Sequence, residues 1–510
     1  MLEVKIMKEK SNIISLVNPN LVTQIGDSLG SGIPYMPLPL AYLAACLINK
    51  YNLNVIDAFG EDPFKVWQKE NFIAQGITIS EVVKRINPSS RCIIIYYSSV
   101  MASIIIDEMM NSLKAEYPQI PIIIIENSQA VIGCSLKHII DKLFACGADY
   151  VVFGECEERV PNIIDIIIKS DLNKLDLIDG IAYKAQNGML KILPQKKNIA
   201  NLDRLPFPAW EYFALDKYWK LRYAHGPMEG EYLAIMTSRG CPYSCNFCVI
   251  PSTNQKKWRA RSYKNVVDEL EYMVNKFNVK EFHWEDVNPT VNEERIIEIC
   301  KLIIDRELKI KWKLASGSKI ETMRLETLEW MKKAGCNYIS FSPESGSKHV
   351  LKLMNKPFDH DYALDMVRHM NRIGIKSQAC FVLGYPGEEE NDLKQTEIYI
   401  KKLTKAGVDE IALFIMTPIP GTETFGQISG YKNFSELTFS PAWRDDFEIL
   451  STFRMRLYKK FLLWKIIYHP FKVFRQMINL LRRRFESKAE MNIYRALRLK
   501  YMVARGTNKC

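Results

Sequence analysis

Ser238-Arg239-Gly240-Cys241-Pro242-Tyr243-Ser244-Cys245-Asn246-Phe247-Cys248 sets three cysteines at spacings x3 and x2 in one short loop. An apolar run, Tyr232 to Met236, precedes it and reads as a strand end. Thiolates this close in sequence can converge on one metal centre, and soft sulfur suits zinc or an iron–sulfur cluster. A structural zinc site takes four ligands in two separated pairs. Here three lie in one loop, with no fourth Cys or His nearby. That pattern favours an iron–sulfur cluster with one iron left open for a small ligand. Cysteines used as small buried apolar side chains have no reason to gather behind Gly-Cys-Pro.

At these residues the chain resembles the radical S-adenosylmethionine (SAM) enzymes, whose signature is the same triplet with an aromatic before the third cysteine, here Phe247. The resemblance implies that Cys241, Cys245 and Cys248 ligate a [4Fe-4S] cluster. It also implies that the open iron binds the amino and carboxylate groups of SAM, and that Phe247 lies near the adenine.

At 510 residues the chain exceeds one ordinary domain. Its 47% apolar and 25% charged residues are those of a soluble globular protein. The charged start, Met1 to Asn12, has no signal-peptide stretch, and no run reaches the length of a membrane span. Twelve cysteines without such a leader predict a reducing cytoplasm rather than a disulfide framework. Nine of them, including Cys134, Cys380 and Cys510, are scattered and read as core filler. An exposed cluster would call for an anaerobic or oxygen-protected setting. Charge is uneven. Residues 451–510 hold 16 Lys and Arg against Glu486 and Glu490, so the tail carries +14 of the chain's +11 and the remainder is −3.

Residues 12–170 alternate short, nearly continuous Ile/Val runs with helical patterns. Strands are expected at Ile13–Val17, Asn54–Phe59, Cys92–Tyr97, Ile122–Ile125 and Tyr150–Phe153. Runs without alternation fit parallel strands buried on both faces, and the alternation with helices reads as a doubly wound, Rossmann-like α/β domain. Such domains bind ligands beyond the carboxyl ends of their strands. No G-x-G-x-x-G follows the first strand, which argues against a dinucleotide. Domain boundaries are expected at 1–172, then a hairpin and Pro-rich linker at 173–225, a second α/β unit at 226–430 and a helical basic region at 431–510.

This first domain resembles the cobalamin-binding domain of B12-dependent radical SAM proteins. The matching pieces are Met36-Pro37-Leu38-Pro39-Leu40-Ala41-Tyr42-Leu43-Ala44, Val55-Ile56-Asp57-Ala58 and Ala148-Asp149-Tyr150-Val151-Val152-Phe153-Gly154-Glu155. The linker, with Leu202-Asp203-Arg204-Leu205-Pro206-Phe207-Pro208, follows the same order. The cobalt-ligating D-x-H-x-x-G motif is absent, as in many members of the family. Where the family often has a Gly-Gly-x-His turn, this chain has Glu126-Asn127-Ser128-Gln129-Ala130. The resemblance implies bound cobalamin; a doubly wound domain without it, serving a partner, is the other reading.

Residues 231–430 again alternate strand and helix, as a partial barrel whose active face lies at the strand C-termini. The resemblance makes this a partial (β/α)6 radical SAM barrel. It implies Glu285 and Asp286, after Phe282-His283-Trp284, as carboxylates near the methionyl amino group of SAM. A helix-terminal role for either acid is an equal alternative. It implies that Glu344, in Ser342-Pro343-Glu344-Ser345-Gly346-Ser347, bonds the ribose or amino acid portion of SAM. Gly346 would allow close backbone approach. The turns Gly384-Tyr385-Pro386-Gly387-Glu388 and Pro420-Gly421-Thr422 match family turns and read as architectural. His283, His349 and His360 read as structural, with His283 the one to test; Tyr243 and Trp284 are wall or core.

In the tail, Phe471, Phe474, Ile478 and Leu481 share one helix face, followed by Arg482-Arg483-Arg484. Packing on the barrel with charges to water is favoured; contact with an anionic membrane stays open. No RNA-binding motif is present, so no nucleic acid partner is expected. The resemblance implies reductive cleavage of SAM to a 5′-deoxyadenosyl radical and methylation of an unactivated carbon. Other radical outcomes, namely cyclisation, rearrangement or oxidation, and a degenerate non-catalytic binding protein are the alternatives. It also implies an electron donor such as flavodoxin or ferredoxin. The substrate, whether small molecule, natural product or lipid-like, is not legible.

Overall fold

The computed structural model describes residues 12–27 and 30–506. Most of the charged N-terminal stretch, and Cys510, lie outside them. The first domain is one sheet whose parallel strands are Ile13–Asn18, Asn52–Asp57, Ser90–Tyr97, Ile122–Glu126 and Tyr150–Val152. Ile13–Asn18 lies between the second and third strands, so the parallel strands run in the order 2-1-3-4-5. In this doubly wound order the chain reverses direction across the sheet between strands 1 and 3. Residues beyond those two strand ends, Asn18 and Ser98, face the site described below. Ile93, Ile94, Ile95 and Ile122 to Ile125 are wholly buried, as continuous apolar strands require when helices cover both faces.

The hairpin that the sequence places in the linker belongs to this sheet. Ile181–Lys184 pairs antiparallel with Tyr150–Val152, and Leu190–Leu193 pairs outside it. The pairing covers the edge that the short fifth strand would leave open, so the domain runs about twenty residues past its expected end. A second feature goes unannounced in sequence. Leu21–Gln24, Val66–Lys69 and Phe72–Gln75 form a small antiparallel sheet. Its four-residue strands turn at Glu70, in the left-handed region (φ +48°), where no glycine marks the turn.

The second unit has six parallel strands in sequence order: Tyr232–Ile235, Glu281–Trp284, Lys311–Ser318, Cys336–Glu344, Lys376–Leu383 and Glu410–Ile415. Helices such as Tyr263–Phe277 and Glu390–Ala406 cover the outside. The tail forms three helices, Phe447–Tyr468, Pro470–Arg482 and Lys488–Gly506. No helix among the described residues is long and apolar enough to cross a membrane.

The two sheets are clamped by buried charge. Arg239, the residue before Gly240 of the cysteine loop, reaches Glu157 at 2.6 Å and Glu155 at 3.3 Å. Arg259 meets Glu155 at 2.8 Å. Both carboxylates come from the end of the first domain, and Arg239, Glu155 and Glu157 are all buried. Removing one partner of such a pair strands a charge, which costs about 3–5 kcal/mol. Arg239→Met should therefore lower stability by about that amount in a denaturant melt, far more than the exposed-pair variant Lys220→Met against Asp216.

Candidate functional site

The cysteine loop turns at Gly240, whose φ is +79°. A Cβ there would lie 2.1 Å from the Lys257 carbonyl, so the turn requires glycine. Three neighbours fix the loop. Gly240 N donates to Gln129 Oε1 at 2.9 Å from the first domain. Asn246 donates from its backbone N to Met354 O (3.1 Å) and from Nδ2 to Leu353 O (3.0 Å), and Asn355 Nδ2 donates to Ser244 O at 2.9 Å. Beyond the last barrel strand, Glu423 N donates to Asn246 O at 3.0 Å.

Gln129 lies in the turn Glu126–Ala130, where the sequence departs from the Gly-Gly-x-His pattern. Two residues of that turn bond the barrel. Gln129 Nε2 donates to Asn254 Oδ1 (2.7 Å), and Thr253 Oγ1 donates to Ser128 O (3.0 Å). Glu126 is buried, accepts from Leu136 N and Gly154 N, and is pushed up to about 7 by burial.

Cys241, Cys245 and Cys248 are free and line one cavity. Burial pushes all three thiols up, Cys248 to about 12, while the ammonium of Lys356 pulls each of them down. Among the described residues no three Cys, His, Asp or Glu side chains gather tightly enough for a single ion. A half-buried trio of thiols beside lysines suits a metal group wider than one ion, because metal coordination supplies the charge that burial withholds.

The cavity has a volume of about 1030 Å³ and is walled by both domains and the tail. Its polar groups form two ends. Beside the cysteines, Lys356 pairs with Glu344, its ammonium 5.9 Å from the Phe247 ring centre. Phe247 meets Tyr385 edge-on at 6.4 Å. Glu344 sits at φ +63°, a strained position for a side chain of this size. At the other end Glu285 bonds His225 Nδ1 at 2.6 Å, and Tyr35 stacks on His225 at 4.3 Å. Burial pushes the Glu285 carboxyl up, but His225 and Lys488 outweigh it and hold it below its ordinary value. Lys488 Nζ donates to Ala315 O at 2.8 Å, and burial lowers its pKa. Three buried polar atoms on the cavity wall lack a partner: Asn20 Oδ1, Asn288 Nδ2 and Thr417 Oγ1.

The structure thus brings the three cysteines, Phe247, Glu344 and Glu285 to one cavity, with Glu285 at the Tyr35–His225 end. It does not bring Asp286 or Gly346 there. Asp286 accepts from Thr237 N (3.0 Å), Thr237 Oγ1 (2.8 Å) and Ser238 Oγ (2.6 Å), tying the first strand end into the cysteine loop. Gly346 is small for its own neighbour: a Cβ would lie 2.6 Å from Thr396 Cα in helix Glu390–Ala406.

His283 is buried against Glu281 (3.0 Å) and Tyr232, and Trp284 stacks on Trp312 at 4.4 Å, so both are core. His349 bonds Asp392 and His360 bonds Ser345 O. Tyr243 is on the wall. The sequence reading missed Lys356, His225, Tyr35 and Lys488. Lys356 lies in the loop after helix Lys348–Leu353, where a single lysine reads as surface charge, and the others come from loops and the tail.

Residues 235–400 match the Radical SAM superfamily. An uncharacterized methyltransferase of Pyrococcus horikoshii is 28% identical over 443 residues, 86% of each chain. The cytidylyl-2-hydroxyethylphosphonate methyltransferase of Streptomyces wedmorensis is 25% identical over 432 residues, 76% of each. The radical SAM methyltransferase TsrM of Kitasatospora setae, solved with cobalamin and a [4Fe-4S] cluster bound, shares the fold. Its TM-score is 0.60 at 15% identity, covering 82% of this chain and 74% of that one.

One substitution separates wall from support. Gly346→Ala should cost about 1–3 kcal/mol in a denaturant melt and leave iron content per chain unchanged. Loss of bound SAM at full stability would instead return Gly346 to the ligand side.

Proposed function

We propose that this chain, a radical SAM enzyme with the fold of cobalamin-binding relatives, attaches a methyl group to an unactivated carbon of a small-molecule substrate. The observation that carries the reading is the shared cavity. It joins three loop cysteines to the strand ends of a doubly wound domain at the point where its strand order reverses.

Cys241, Cys245 and Cys248 would hold the cluster, leaving SAM to meet it on the cavity side. Phe247 and Tyr385 would wall the adenine. Glu344, positioned by Lys356, would accept from the ribose or ammonium of SAM. A strained, buried carboxylate at a strand end fits a ligand role. Cobalamin would rest against Asn18, Ser98 and the small sheet that includes Leu21 and Val22, which all border the cavity. The unpartnered Asn20 Oδ1 and Asn288 Nδ2 can bond a large polar cofactor there. When bound, these groups supply the electron that splits SAM to a 5′-deoxyadenosyl radical and the methyl that reaches the substrate.

The chain's own residues orient, enclose and exclude water. Glu285, His225 and Lys488 form a second polar cluster on the cavity wall, and the substrate's polar group belongs there. Tyr458 and Asn492 of the tail complete the enclosure. The cytoplasm supplies the electron through a flavodoxin or ferredoxin.

The anaerobically reconstituted protein should form 5′-deoxyadenosine from SAM under reduction, and Cys245→Ala should abolish it. Product gaining one methyl supports the reading. SAM consumed without methyl gain would move the chain to the cyclising or oxidising radical enzymes. Lys356→Met should weaken SAM binding about 10–100-fold, the worth of a charged hydrogen bond, with iron content unchanged.

A further inference from the structure

The tail helices divide between two tasks. Phe447–Tyr468 buries Leu450, Phe453, Leu457 and Phe461, and Lys488–Gly506 lends Lys488 and Asn492 to the cavity. Pro470–Arg482, between them, buries no residue at all. Its inward side is polar. Lys472 reaches Asp409 at 3.0 Å, Arg475 reaches Glu486 at 3.0 Å, and Gln476 bonds Ser487 at 2.8 Å.

With the polar side seated, the apolar side faces out. Phe471 is 87% exposed, Phe474 63%, Met477 61% and Leu481 83%. At 3.6 residues per turn these four occupy about a third of the helix circumference. The end of the preceding helix adds exposed Leu462, Leu463, Ile466 and Ile467. The two sets lie on either side of the His469–Pro470 turn. The packing expected for Phe471, Phe474 and Leu481 therefore does not occur, and only Ile478 is partly covered.

Soluble proteins do not leave a patch of this size without an occupant. Charge identifies it. Arg482, Arg483 and Arg484 are exposed at the end of the same helix and join no ion pair among the described residues. The tail as a whole carries +14. Exposed aromatic and aliphatic side chains beside exposed arginines, Arg483 resting over the Tyr494 ring, match the two signals of stable attachment to an anionic bilayer: apolar insertion and phosphate contact.

We propose that helix Pro470–Arg482 and the exposed helix end before it lie in the headgroup–acyl boundary of an anionic membrane, with Arg482–Arg484 on lipid phosphates. This is independent of the reaction and holds the enzyme at a membrane surface by a face distinct from its cavity-lining residues.

The test is flotation of the full-length, cluster-loaded protein with two kinds of vesicle. One is phosphatidylcholine alone; the other is an equal mixture of phosphatidylcholine and phosphatidylglycerol. The protein should float with the anionic vesicles, weakly with the neutral ones, and less as salt rises. Phe471→Ser with Phe474→Ser, and separately Arg482→Gln with Arg483→Gln and Arg484→Gln, should each lower the bound fraction at least about tenfold. Thermal melts and 5′-deoxyadenosine formation should match the parent. The proposal fails if the parent does not float, or if it floats equally with either variant. It also fails if the parent is a dimer that the Phe variants turn into monomers, which would make the face a contact between copies.

Discussion

A thiolate is costly in a dry cavity, and three together more so. Everything around Cys241, Cys245 and Cys248 answers that constraint. Lys356 and Lys319 bring positive charge to the thiols. Gly240 makes the turn that brings the sulfurs to one wall. Gln129, the stretch 353–355 and Glu423 each bond the loop and hold its backbone in place. The loop is thus built to be completed by a metal group, and the two domains close on it to make that possible.

The domain interface is part of the site. Arg239 stands next to Gly240 and is paired inside the interface with Glu155 and Glu157. Gln129, on the opposite wall, bonds Gly240 itself. The turn Glu126–Ala130 loses the glycines and histidine common in the resembled family and becomes a brace between the domains. Strand ends 1 and 3 remain open to the cavity, so the ligand-binding position of a doubly wound sheet survives while this turn takes another task. The tail completes the enclosure with two helices and presents the third outward.

Legibility followed locality. The cysteine triplet and the Ile/Val strands are local patterns and appear where the sequence puts them; of the barrel, strand Lys311–Ser318 carried no motif that marked it. Glu344 was legible because its motif marks a strand end. Asp286 and Gly346 carry equally good motif positions, but their roles depend on what packs beside them: the Thr237–Ser238 hydroxyls for one and helix Glu390–Ala406 for the other. His225, Tyr35 and Lys488 are single residues separated by up to 453 positions, and only tertiary folding brings them to one wall. The hairpin at Ile181–Leu193 was visible as a hairpin; that it completes a sheet was decided by the short edge strand Tyr150–Val152. The tail's amphipathic stripe is plain in the sequence, but no sequence pattern tells which way such a stripe faces, and the packing expected for it is not what forms.

The shared cavity is read as serving an iron–sulfur cluster and a corrin together. The most direct measurement is joint quantification of iron, sulfide and cobalamin in anaerobically purified protein supplied with all three. About four irons and one cobalamin per chain are expected, with the iron lost and the cobalamin kept in Cys245→Ala. Iron at full occupancy with no cobalamin retained would contradict it, leaving the first domain a doubly wound fold without that ligand.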